Sequence, residues 1–188
     1  MVKVGVLALQ GDVSEHLDLI RGSGAAVPVR TAADLDTVDA VVLPGGESTT
    51  IAGLLERGEM MAPLRKAIAS GMPAFGTCAG AIVLASEVRG GDVPHLGVLD
   101  MVVQRNAYGR QVDSFETRVD VASVGEVDAV FIRAPVIEEV GTDVDVLATH
   151  DGRPVVVRQG RVLAATFHPE IAGDPGLHRY FLEQVCGA

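Results

Sequence analysis

The chain opens on a β-branched-rich run, Val2 to Leu9, ended by Gln10-Gly11. Apolar residues then return at helical spacing from Val13 to Arg21, with Leu17 and Ile20 facing inward and Asp12 placed to cap the helix. Gly22-Ser23-Gly24 breaks the pattern, and Ala26 to Arg30 reads as a second strand. Val38 to Leu43 is a continuous apolar run, as a strand buried on both faces requires, and it ends in Pro44-Gly45-Gly46-Glu47-Ser48-Thr49-Thr50. Helical patterning resumes from about Ser48 to Arg57 and from Glu59 to Ala69. A strand from Met72 to Thr77 and a helical run from Ala81 to Glu87 follow. This alternation predicts an α/β fold, with a mostly parallel central sheet and helices on both faces.

From Gly97 the texture changes. Val98 to Val103, Ser114 to Val121, Ala129 to Arg133, Val144 to Thr149, Pro154 to Arg158 and Val162 to Phe167 read as strands. A last helix is predicted from about Gly176 to Val185, and Gly90 to Gly97 reads as a surface loop. No repeat, low-complexity segment or linker interrupts residues 1–188, which are read as one domain. Apolar residues make up 48% and charged residues 21%, a balance that predicts a folded chain rather than a disordered one. The net charge of −10 comes with no basic cluster, which argues against nucleic acid or an anionic membrane as the main partner. No signal-like segment or bilayer-length apolar run is evident. The two cysteines, Cys78 and Cys186, are far apart and form neither a disulfide framework nor a zinc pattern, so a reducing cytoplasm is expected.

One of those cysteines carries the candidate chemistry. Cys78 lies in Gly76-Thr77-Cys78-Ala79-Gly80, between a strand-like and a helix-like run, so its thiol is predicted at a sharp bend. Glycines two residues to either side keep such a turn uncrowded. The helix N-terminus there favours thiolate over thiol, which makes Cys78 a candidate nucleophile in need of a base. About ninety residues further on stands Thr166-Phe167-His168-Pro169-Glu170. Proline disfavours helical backbone at His168, so His168 is expected to be extended, with Glu170 on the same side to orient the imidazole. Cys186 reads as inert.

Gly45-Gly46 is a turn on its own terms, and equally a place where backbone amides can approach a reacting oxygen as an oxyanion hole. The Ala79 amide is the natural second donor. A phosphate loop is excluded, since the second glycine and the Lys-Ser/Thr pair are missing. Arg105 and Arg133 follow strands; a guanidinium there is either a surface charge or a bidentate clamp on a carboxylate. His16, His95, His150 and His178 show no partner spacing and are read as structural.

Gly-x-Cys-x-Gly followed far downstream by His-Pro-Glu resembles the class I, or triad, glutamine amidotransferases. Leu7-Ala8-Leu9-Gln10-Gly11, Pro44 to Thr49, Gln104-Arg105-Asn106-Ala107-Tyr108-Gly109-Arg110-Gln111, Asp113 to Glu116 and Phe131-Ile132-Arg133-Ala134-Pro135 narrow the likeness. Together they resemble the family of glutaminase subunits of pyridoxal phosphate synthase, over essentially the whole chain. Only Ile171-Ala172, where that family usually has a Leu-Thr-like pair, departs from the pattern.

The resemblance implies a flavodoxin-like fold, Cys78 as nucleophile, and His168 and Glu170 completing a triad. It implies glutamine-binding roles for Gly46, Glu47, Ser48, Arg105, Ile132 and Arg133, and places Gln10 near the exit toward a synthase. It further implies hydrolysis of L-glutamine to glutamate and ammonia, no metal or cofactor of the chain's own, and a barrel-shaped synthase partner in a large hetero-oligomer. That partner would build the pyridoxal ring from a pentose phosphate and a triose phosphate. Rival readings are a glutaminase serving another synthase, such as that of histidine biosynthesis, a cysteine peptidase or γ-glutamyl hydrolase, and a non-catalytic regulatory subunit that keeps the fold.

Overall fold

The apolar runs of the first half become parallel strands. The computed structural model describes residues 2–105 and 114–187. Its first elements are β1 (Lys3–Leu7), α1 (Val13–Arg21), β2 (Ala25–Val29), α2 (Ala32–Leu35), β3 (Ala40–Leu43), α3 (Ser48–Arg57), α4 (Met61–Ala69), β4 (Ala74–Thr77) and α5 (Ala79–Leu84). There follow β5 (Ala85–Arg89), β6 (Leu99–Gln104), β7 (Phe115–Val121), β8 (Gly125–Phe131), β9 (Val136–Val140), β10 (Asp145–His150), β11 (Arg153–Gln159) and β12 (Val162–Ala165). Two short helices close the chain, α6 (Pro169–Ala172) and α7 (Gly176–Tyr180), the latter running on as π-helix over Phe181–Cys186.

Seven strands form the central sheet in the order β10-β11-β12-β4-β3-β1-β2. The five from β12 to β2 are parallel, and β11 and β10 extend the sheet antiparallel. Side chains alternate across each strand, so both faces of a buried strand must be apolar. In β3, Val41 and Leu43 join the core formed with Ile51 and Leu55 of α3, Leu64 and Ile68 of α4, and Leu84 of α5. Its Ala40 and Val42 join the opposite core with Leu17 and Ile20 of α1, Leu177 of α7 and Phe181. Helices therefore cover both faces, as the alternating pattern predicts.

The second half departs from expectation where pairing partners are distant in sequence. The run Ala81 to Glu87 is not one helix: α5 ends at Leu84, and Ala85 turns to extended backbone (φ −56°, ψ 153°). The following residues pair with β6, where the Ser86 hydroxyl donates to the Met101 carbonyl at 3.0 Å. The unforeseen strand β9 completes this second sheet, in the order β5-β6-β9. β8 begins at Gly125 rather than Ala129 and forms a hairpin with β7. It also ends at Phe131, which leaves Ile132 and Arg133 in a bend rather than in the predicted strand. Two further short helices, α2 and α6, were not expected; α2 is set by a capping box between Thr31 and Asp34.

The junction of β4 and α5 is packed backbone against backbone. A Cβ at Gly80 would overlap the Leu43 carbonyl oxygen of β3, and one at Gly76 would lie 2.7 Å from the Gly80 carbonyl carbon and from Leu84 Cδ1. The first turn of α5 thus sits directly on the carboxyl ends of β3 and β4. Gly80→Ala should lower stability by about 3 kcal/mol, because backbone rather than a flexible side chain must give way. Denaturant unfolding checks this, and a loss of a few tenths would contradict the packing described.

Candidate active site

Cys78 occupies the bend between β4 and α5 with φ 45° and ψ −102°. Positive φ is rare for a residue with a side chain and costs on the order of 1–3 kcal/mol, so the surroundings must hold it. They do so through the parallel pairing of β4 with β3 and β12, continued by the Cys78 amide donating to the Ala165 carbonyl at 2.9 Å. The strain turns the side chain outward from the carboxyl edge of the sheet, where ligands of such folds bind. Cys78 is 6% exposed, and its sulfur lies 3.9 Å from the Ile132 carbonyl oxygen.

His168 reaches the same edge from the end of β12. Its amide donates to the Val130 carbonyl at 2.8 Å, which ties it to β8. Its imidazole lies against Gly45, where a Cβ would sit 2.6 Å from Nδ1. The backbone at His168 is non-helical (φ −111°, ψ 86°), as expected before proline. Glu170 is not on an extended strand, however. Pro169 begins α6, and Glu170 stands in its first turn. The pairing expected of the two side chains is present all the same, with His168 Nδ1 2.8 Å from Glu170 Oε1.

Asp12 is a second carboxylate on the same nitrogen, with its Oδ2 3.2 Å from His168 Nδ1. It was read as a helix cap, yet its side chain makes no capping bond and turns into the site. Burial alone would lower the His168 pKa, but hydrogen bonds with Asp12, Cys78 and Glu170, and the charge of Cys78, outweigh it and push the group up to about 12. Burial would likewise raise the Glu170 carboxyl, but its contacts with His16 and His168 hold it well below the usual carboxylate range. Asp12, His168 and Glu170 bring ligand-type atoms within 4.8 Å of one another. The two carboxylates flanking Nδ1 account for that cluster as an ion-paired donor and its acceptors.

Gln10, Asp12, Gly46, Glu47, Ser48, Cys78, Ala79, Arg105, Ile132, Arg133 and His168 all line one cavity of about 340 Å³, the size of a small-molecule site. Every predicted site residue is therefore gathered there except Glu170, which stands behind His168. Gly46 has φ 149° and leaves no room for a Cβ, which would meet Gln10 Oε1 at 2.6 Å. That oxygen accepts from the Glu47 amide at 2.9 Å and so fixes the glycine loop. Glu47 caps α3 by accepting from the Thr49 and Thr50 amides, and Arg105 lies 3.3 Å from it. Arg133 is exposed and held at φ 45°, a second strained residue on the rim. The lining that sequence reasoning missed is Asp12, Ile82 and Pro135; Ile171 was noted only as an edge position. Asn106 to Gln111 and Asp113, which carry part of the family likeness, lie outside the described residues. Cys186 is buried at a distance in sequence and space from this cavity, and burial pushes its thiol up to about 11.

A strained cysteine and a histidine sharing one cavity at the carboxyl edge of a doubly covered sheet match a known class. A crystal structure described as that of a glutamine amidotransferase superposes with a TM-score of 0.92 at 50% identity, over 98% of this chain and 99% of that one. Residues 6–187 match the SNO glutamine amidotransferase family, and the chain belongs to it. A relative from Frankia casuarinae, named pyridoxal 5'-phosphate synthase subunit PdxT, is 54% identical over 188 residues, covering 97% of this chain and 94% of its own. One of the same name from Shouchella clausii is 50% identical over 187 residues, covering 98% and 96%.

The double-carboxylate arrangement has a direct consequence for titration. Asp12→Asn removes a negative charge from Nδ1, so the His168 imidazolium should lose its proton at lower pH than in the parent chain. Imidazole NMR titration reads this, and an unmoved midpoint would show that Asp12 does not act on His168.

Proposed function

We propose that this chain is the glutaminase subunit of a pyridoxal 5'-phosphate synthase, hydrolysing L-glutamine and passing the ammonia to a synthase subunit. The observation that carries the reading is the Cys78 thiol at a positive-φ bend, in one cavity with an imidazole that Glu170 holds from behind. Membership of the glutamine amidotransferase family and the names of its relatives support the substrate and the pathway.

In this mechanism glutamine enters the cavity with its α-carboxylate toward Arg105 or Arg133 and its side-chain amide toward Cys78. The Cys78 thiolate attacks the amide carbon. Backbone amides at Gly46 and Ala79 hold the oxyanion. The C–N bond breaks as the His168 imidazolium gives its proton to the departing nitrogen, leaving a glutamyl thioester and ammonia. Forming the thioester removes the thiolate charge beside His168, which eases the return of the imidazole to its neutral state. Neutral His168 then takes a proton from water, whose oxygen attacks the thioester and releases glutamate. Glu170 stays ionised throughout and keeps Nδ1 as the donor.

Ammonia in neutral water is mostly ammonium, which is no nucleophile, so direct transfer to a docked synthase suits the chemistry. Gln10, which the family resemblance puts near the exit toward a synthase, is one of the residues lining the cavity. Among the described residues no helix is long and apolar enough to cross a membrane. A reduced Cys78 fits the cytoplasm.

Glutamate release from L-glutamine, measured with and without a pyridoxal 5'-phosphate synthase subunit, tests the reading. The expected result is strong stimulation by the synthase, loss of at least about a hundredfold in Cys78→Ala, and no loss in Cys186→Ala. High activity without the synthase would point to a stand-alone amidase, and pathway function unchanged in Cys78→Ala would point to a regulatory subunit.

A further inference from the structure

Glu170 is held from behind by groups that the mechanism above does not use. Its Oε1 accepts from the Thr77 hydroxyl at 3.2 Å. Thr77 Oγ1 lies 3.1 Å from His16 Nε2, and His16 Nδ1 lies 2.8 Å from His178 Nε2. His16 Nε2 is also 3.5 Å from Glu170 Oε1. Thr77 ends β4, His16 lies on α1, His178 on α7 and Glu170 on α6, so four elements converge on one line of polar atoms. Thr77 and His16 are 0% exposed, His178 1% and Glu170 3%. None of the four lines the cavity. Phe75 and Phe181 close the far side, with Phe75 edge-on to His178 at 5.4 Å and 5.7 Å from Phe181.

Such a line is costly in a core where apolar residues would pack without desolvation, so its presence calls for a task. Its proton arrangement suggests which. A threonine hydroxyl has one proton, and here it goes to Glu170. Thr77 Oγ1 must then accept, which makes His16 Nε2 the donor. Wherever the proton between His16 and His178 resides, the donor side of the line ends on the Glu170 carboxylate. The charged and titratable groups facing Glu170 are accordingly His168 beside it and His16 from α1, with Asp12 reaching His168 and His178 of α7 reaching His16.

We propose that Thr77, His16 and His178 are positioning residues for glutamine hydrolysis, a buried hydrogen-bond line that keeps Glu170 ionised and aimed at His168 Nδ1. The inference rests on the reading of Cys78, His168 and Glu170 as the reacting set. The burial of His178 supports it, since burial and the neighbouring His16 hold its pKa down to about 3 and leave it a neutral partner that fixes the His16 ring. His178 Nδ1 and Glu170 Oε2 find no hydrogen-bond partner among the described residues, so the line's hold on Glu170 passes through Oε1 alone.

The test uses the full chain with a pyridoxal 5'-phosphate synthase subunit and follows glutamate release. Thr77→Val keeps the shape and removes the hydroxyl, and Thr77→Ser keeps the hydroxyl. We expect Thr77→Val to lower kcat about tenfold or more, with KM for glutamine within about twofold, and Thr77→Ser to recover most of the loss. The acid limb of the kcat–pH profile should move to higher pH in Thr77→Val, because a carboxylate with fewer donors takes up a proton more readily. Should Thr77→Val fold poorly, His16→Gln and His16→Leu repeat the comparison, with the amide of glutamine as the retained donor. Unchanged kcat, a kcat loss with an unmoved pH limb, or a loss that serine does not recover would overturn the inference. Cys78→Ala runs in parallel. If it retained full activity, the reaction reading itself would fall, and the inference with it.

Discussion

The strained backbone at Cys78 is the constraint on which the rest of the site depends. A side chain at positive φ is unfavourable, and it persists only where the flanking structure leaves no relaxed alternative. Here β4 is locked between β3 and β12, and α5 begins so close to Leu43 that only glycine fits at residue 80. The bend cannot relax without breaking the centre of the sheet. The cost of the strain is thus carried by the core that also brings β12, and with it His168, alongside β4.

Charge is arranged around that bend in layers. The thiol and the imidazole share the cavity, two carboxylates flank the imidazole from the other side, and a buried hydrogen-bonded line backs one of those carboxylates. Asp12 is the partly exposed member of this arrangement, while Glu170 and the line behind it, His16 included, are buried. Burial alone would favour the uncharged forms of His168 and Glu170. Asp12, Cys78 and Glu170 around His168, and His16 and His168 around Glu170, reverse that preference and favour the charged forms, which the proposed proton transfer to a leaving amine would use.

Much of this was legible in the sequence because it depends on local rules. β3 declared itself by an unbroken apolar run, α3 by its boundaries, and the cysteine bend by glycines at fixed offsets. His168 and Glu170 were paired correctly although the backbone between them is the start of α6 rather than a strand. Proline served both geometries: it enforces non-helical backbone at the residue before it and is also at home at the first position of a helix. What escaped was non-local. β5 and β9 exist because β6 lies between them, and nothing in Ala85 to Arg89 alone distinguishes a strand from the continuation of α5. Asp12 looked like a cap because an aspartate before a helix reads as one, whether its side chain caps or turns into the cavity. His16 and His178 are 162 residues apart, and no spacing rule joins them.

The account stands or falls on Cys78 as the nucleophile activated beside His168. The most direct measurement is labelling with a glutamine analogue that carries an electrophilic diazoketone in place of the side-chain amide, in the presence of the synthase subunit, followed by intact mass and peptide mapping. The account requires one adduct per chain, on Cys78 and not on Cys186, with labelling slowed in His168→Asn. Labelling of Cys186, or labelling of Cys78 at the same rate without His168, would contradict it.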